Sequence, residues 1–151
     1  MSLISIASNS STWRGYEYYL NKNIINCKKI RECEYEGKVK GSNKENYNVF
    51  IDTEHPRKSK CDCPHAKDKR IVCKHIVALY FSIFPNEANK YIKEIEEYEK
   101  EEEQREKELE EKVIKYINSL SKEELRQTLI DVLYDSEKWV FDRFIRDKIN
   151  Y

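Results

Sequence analysis

Glycine is almost missing from this sequence: there are three in 151 residues, with three prolines and one methionine. Loops that cradle phosphate on backbone N–H groups need closely spaced glycines, so a P-loop or dinucleotide-binding turn is nearly excluded. No run of about 18 apolar residues is present, which argues against a membrane-spanning helix. The opening MSLISIASNSSTW has neither a charged n-region nor a long apolar stretch, so it does not read as a secretory signal. The five cysteines are therefore expected as thiols or metal ligands in a reducing, cytoplasmic setting rather than as disulfides. No paired carboxylates or nucleophile–base set stand out. The chain reads as a non-enzyme with no small-molecule substrate and no membrane association.

What is present is charge, at 37% of residues, and it is divided. Residues 1–85 carry 15 Lys and Arg against 9 Asp and Glu, whereas residues 86–151 carry 13 against 19. The basic excess is densest at Arg57, Lys58, Lys60, Lys67, Lys69, Arg70 and Lys74, against Asp62 and Asp68. A basic half and an acidic half suggest separate modules.

The pattern predicts an α+β fold: a small zinc-stabilised module followed by an all-helical, charged C-terminal region. Ser11 or Thr12 is placed to cap a short helix through WRGYEYYLNKN, which Gly15 weakens. KKIRECEYEG, KVKG and YNVFIDTE read as short antiparallel strands punctuated by Gly37 and Gly41, with SNKEN (42–46) as a turn. KHIVALYFSIF is apolar almost all round, as in a buried helix. Pro85 is placed to end it and Asn86 to cap the next. From Asn86 the chain is rich in Glu and Lys, and residues 99–108 are entirely polar. That favours a solvated helix held by i,i+4 pairs over a coiled coil, with a disordered acidic linker as the other alternative. SKEE at 121–124 is a capping-box pattern, and Asp135 or Ser136 is placed to cap a last helix. The resulting divisions are 12–85, a zinc-binding module; 86–120, a long charged helix or linker; and 121–151, a helical pair. No internal repeat is visible.

Cysteine and histidine concentrate in CDCPHAKDKRIVCKH, residues 61–75; elsewhere there are only Cys27, Cys33 and His55. The spacing is C-x-C, nine residues, then C-x-H. Residues i and i+2 of an extended segment point the same way, so Cys61 and Cys63 offer two sulfurs from one strand end. Cys73 and His75 offer the second pair where the apolar helix begins, and that helix N-terminus favours thiolate. Three thiolates and one imidazole fill a tetrahedral zinc and leave no position for a catalytic water, so one structural Zn2+ is predicted. His65 competes with His75 for the fourth place, but using it leaves Cys73 without its partner. Cys27, Cys33 and His55 read as structural.

These residues resemble the SWIM zinc finger family, whose motif is C-x-C-xn-C-x-H with a helix after the last pair. C61-D-C63, Pro64, C73-K-H75 and the apolar IVALYF fit that pattern, and the likeness extends over roughly residues 12–84. SKEELRQTLIDVLYDSEKWVFDRFI (121–145) resembles a helical segment downstream in some members more loosely. The resemblance implies a structural zinc and a binding role. Such domains occur in chromatin-remodelling ATPases, plant transposases and a kinase linked to ubiquitin chemistry, and are generally proposed to bind DNA or proteins. No such catalytic domain is legible here.

Two binding functions follow. The first is DNA or RNA binding through Lys67, Lys69, Arg70, Lys58, Lys60 and Lys74, because Lys and Arg contacts to phosphate supply most non-specific affinity. The second is a protein-interaction adaptor using the zinc module and the acidic helical half, with Leu125, Leu129, Leu133, Trp139 and Phe144 docking a partner helix. The oligomeric state is not legible.

Overall fold

A computed structural model describes residues 2–43 and 45–149. It divides into two compact units, residues 1–96 and 97–151. The fold is α+β, with a small antiparallel sheet, five α-helices and a clustered Cys3His set.

In the first unit, helix α1 (Asn9–Leu20) precedes strands β1 (Ile24–Arg31), β2 (Glu34–Lys40) and β3 (Asn46–Asp52). After a 3-10 turn at Pro56–Lys58 comes the two-residue strand β4 (Lys60–Cys61), then helix α2 (Lys74–Ile83). The four strands lie in the order β1-β2-β3-β4, all antiparallel. Several boundaries differ from the sequence expectation. Ser8, not Ser11 or Thr12, caps α1, its hydroxyl accepting from Ser11 N. The β1–β2 turn falls at Glu32–Cys33, not at Gly37, which sits inside β2. A Cβ at Gly37 would lie 2.6 Å from both the Asn26 carbonyl and Leu79 Cδ1, so this glycine lets α2 approach the sheet. Gly15 does the same between α1 and α2, since a Cβ there would strike Val77 and lie 2.9 Å from the Lys74 carbonyl. The predicted turn at 42–46 is closed by Gly41 N donating to Glu45 O at 2.6 Å; Lys44 within it lies outside the described residues.

The period-2 alternation of the strands sorts the two faces of the sheet. Val39, Val49, Ile51 and Cys61 point to a core completed by Ile76, Val77, Leu79 and Phe81 of α2. Each large apolar side chain sealed this way contributes about 1.5–3 kcal/mol. The opposite face carries Glu36, Lys38, Asn48, Phe50 and Lys60, paired in register as Glu36 with Phe50, Lys38 with Asn48 and Phe50 with Lys60.

Helix α3 (Pro85–Ser119) begins at Pro85, which takes the first helical position, where a missing N–H costs nothing. Asn86 is therefore inside the helix and not its cap. The start of α3 gives Ala88 and Tyr91 to the core. Beyond it, pairs such as Lys107–Glu103 (2.8 Å) link successive turns.

In the second unit, α4 (Lys122–Asp135) starts from the full capping box of Ser121 and Glu124. Helix α5 (Lys138–Lys148) is preceded by Glu137, which makes no side-chain cap bond. Ser136 is not its cap; its hydroxyl donates instead to Leu133 O at 3.0 Å. Tyr134 and Phe141 meet across the pair at 5.7 Å. Residues 150–151, the end of the predicted helical pair, lie outside the described residues.

Candidate metal centre

Strand β4 ends at Cys61, and Cys63 follows Asp62, which is tied back to β3 through its backbone N–H, donating to Asn48 O at 3.2 Å, and through its carboxylate. Asp62 Oδ1 accepts from Asn48 N at 2.8 Å and Oδ2 from Asn48 Nδ2 at 2.7 Å. The loop returns to Cys73, the residue preceding α2, and His75 lies in the helix's first turn. The ligand atoms of Cys61, Cys63, Cys73 and His75 all lie within 4.8 Å of one another, and all four residues are buried. His75 Nδ1 is 3.8 Å from Cys61 Sγ and 3.9 Å from Cys73 Sγ. Across a tetrahedral zinc with ordinary bond lengths, sulfur and nitrogen are separated by about 3.6 Å. The imidazole is held between the rings of Tyr47 (4.7 Å) and Tyr18 (5.5 Å), which fixes its plane.

The electrostatics of the donor set also fit a cation. The Cys73 thiol is pulled down to about 4 by the hydrogen bond from Cys61, helped by His75 and by the Ile76 N–H at the start of α2. Cys61 is pushed up by giving that hydrogen bond and by burial; Cys63 is pushed up first by burial and then by the charge on Cys73. Three buried sulfurs cannot all ionise side by side unless a cation is shared among them. Three sulfurs and one nitrogen complete a closed tetrahedral set, which suits one structural zinc.

His65 is exposed in the intervening loop and is not among the converging ligand atoms. Cys27, Cys33 and His55 are also elsewhere; His55 Nδ1 stands 3.4 Å from the buried Asp52 carboxylate.

The basic residues separate into two places. Lys60, Lys67, Lys69 and Arg70 line a groove of about 980 Å3 between the polar sheet face and the 62–70 loop. Lys28 and Lys38 join them there, and sequence reasoning missed both. The signal was present in the i,i+2 spacing of Asn26 with Lys28 and Glu36 with Lys38, but it becomes meaningful only once the register is known. Of the three acids in that wall, Glu36 is paired with Lys28 at 3.4 Å and Asp62 is spent on Asn48, while Asp68 has no cation within ion-pair distance among the described residues. Lys74 is not in the groove. It donates to Tyr18 Oη at 2.7 Å and to Ser42 Oγ at 3.0 Å, in a second pocket. Lys58 is exposed at the end of the 3-10 turn and lines neither.

Fold and site together define a zinc-stabilised α+β module. Residues 47–84 match the SWIM zinc finger family model, and the Cys61, Cys63, Cys73 and His75 cluster lies inside the matched segment. The match begins in β3; α1, β1, β2 and the helices beyond α2 lie outside it. No curated protein and no solved structure gave a match to the chain. Among the described residues, no helix is long and apolar enough to cross a membrane.

Proposed function

We propose that the zinc module binds nucleic acid, with the strand lying in the groove between the polar face of the sheet and the 62–70 loop. The observation that carries this reading is the lining of the groove: Lys38, Lys60, Lys67, Lys69 and Arg70 have no carboxylate within ion-pair distance among the described residues. Cations left unpaired around a concave surface attract a polyanion and release its counterions on binding. Phe50 is half-buried in the groove wall and offers a ring on which a base can stack. An open groove walled by the sheet face that carries Phe50 favours a single strand over a duplex, whose stacked bases would not reach that ring. The zinc does no chemistry in this reading. It fixes the start of the loop that carries Lys67, Lys69 and Arg70, and the ligand leaves unchanged, so the module is not an enzyme.

The test is a fluorescence-anisotropy titration of a labelled single strand at several salt concentrations, comparing the zinc-loaded chain with its K67A/K69A/R70A variant. The variant should keep its zinc and fold. It should lose roughly tenfold or more in affinity, with a salt slope shallower by about two. Superimposable curves would refute the groove.

A second reading is a protein-interaction adaptor, favoured by the apolar side chains exposed in the second unit. Leu109, Leu129 and Trp139 are 63%, 50% and 63% exposed. Exposed apolar surface of this kind suits a helical partner.

A further inference from the structure

We propose that the second pocket, at the N-terminus of α1, binds a phosphate monoester, and that the source is the terminal phosphate of a nucleic-acid strand; the source rests on the nucleic-acid reading above, whereas the pocket does not. It encloses about 410 Å3, less than half the volume of the groove. Its wall includes Ser10, Ser11 and Arg14 of α1, Ser42, and Lys74 at the start of α2. No Asp or Glu is in that wall among the described residues, unlike the groove, which contains Glu36, Asp62 and Asp68. Neither Arg14 nor Lys74 has a carboxylate within ion-pair distance among the described residues. Lys74 is held in place by the two hydroxyls it donates to and lies 4.3 Å from the centre of the Tyr18 ring. A cation fixed among neutral groups keeps its charge available to a ligand.

Helix α1 adds its own field. Ser8 caps Ser11, and the N–H groups of Asn9 and Ser10 remain without intrahelical acceptors, as the first turn of a helix requires. A second observation is independent of the helix. His75 also forms part of the wall and is only 4% exposed, and its Nε2 is buried without a hydrogen-bond partner. With Nδ1 turned to the sulfurs, a metal-bound His75 carries its proton on Nε2, a donor the protein leaves unanswered.

Two cations, free helix N–H groups and serine hydroxyls, with no acid among them, match a compact dianion better than the single charge of an internal phosphodiester. The strand as source follows from position. Cys61 is in the wall of the groove, whereas Cys63 and Cys73 are in the wall of the pocket, and their sulfurs lie within 4.8 Å of one another. The metal centre is thus the partition between the two, so a strand lying in the groove can set its end in the pocket.

The experiment has two arms, both on the zinc-loaded full chain. In the first, inorganic phosphate is titrated in against a chloride control and followed by amide NMR shifts. Saturable shifts confined to Ser8–Arg14 and the start of α2, and abolished in Arg14→Gln, are expected. Arg14 is exposed and its side chain makes no hydrogen bond among the described residues, so its replacement should leave the fold intact; Lys74→Gln, with zinc content checked, serves as the second variant. Absence of a saturable shift there overturns the pocket. In the second arm, one labelled strand of about 12 nucleotides carries either a terminal phosphate or a hydroxyl. The phosphorylated end should bind roughly fivefold tighter or better, and Arg14→Gln should erase that difference without weakening the hydroxyl-ended strand. Equal affinities, or tighter binding of a phosphoserine peptide, overturn the strand as source. If neither strand binds while inorganic phosphate still shifts the pocket, the nucleic-acid reading and the strand fall together and the phosphate site stands.

Discussion

The hydrogen bond from Cys61, with His75 and the Ile76 N–H beside the sulfur, pulls the Cys73 thiol down, so Cys73 is the easiest of the three to ionise. Cys61 and Cys63 are held protonated. Zinc uptake near neutral pH should therefore release about two protons, and affinity should fall as pH falls. Calorimetry in buffers of different ionisation enthalpy reads this directly; release of none would contradict the thiol assignments. Cys73→Ser should bring zinc content to zero, while His65→Ala should leave it unchanged. Asp62 is a positioning residue: Asp62→Ala removes the carboxylate's two bonds to Asn48, loosens the Cys61–Cys63 segment from β3, and should weaken zinc by a few-fold to tenfold, about 1 kcal/mol for the lost tie. Unaltered affinity in a chelator competition would remove it from that role. The four ligand positions were legible in the sequence because cysteine and histidine are scarce elsewhere and fall in two tight pairs. Lys28, Lys38 and the true surroundings of Lys74 were not, because they depend on strand register and on a partner 56 residues away at Tyr18.

Elements were legible where one local rule dominated. The apolar-all-round stretch became the buried helix α2, and the Ser121–Glu124 pattern became a capping box. The boundaries that shifted did so where tertiary contact outweighed local preference. Gly37 reads as a strand break in one dimension, yet it lies mid-strand because Leu79 needs its space. Gly15 is the counterpart in α1. Gly15→Ala improves helix propensity but drives a methyl into Val77, and the Lys74 carbonyl cannot yield as a side chain can. The net effect should be destabilising by about 1–3 kcal/mol in urea unfolding, with part regained when Val77→Ala is added. A Gly15→Ala chain as stable as the parent would mean that α1 and α2 are not packed this closely.

For the whole molecule, zinc and the apolar core share the work of holding the first unit. Ile76, Val77, Leu79 and Phe81 are fully buried in the core, so α2 has an anchor besides the metal site at its start. Chelation should expose the amides of residues 59–73 to hydrogen exchange first and those of 77–83 later; simultaneous loss would show that the metal is the sole support. The charge division adds a functional expectation. On the nucleic-acid reading proposed above, the basic excess of the first half should make strand binding steeply dependent on salt, with the dependence arising in the groove. The central claim is that one zinc orders the 62–70 loop and thereby builds the nucleic-acid groove. The most direct test is to titrate metal-free full chain with zinc, following loop amide protection and the anisotropy of a labelled single strand in the same samples. The two signals should rise together and level off at one zinc per chain. Strand binding at full strength before zinc is added, or a loop that orders at one equivalent while binding never appears, would contradict it.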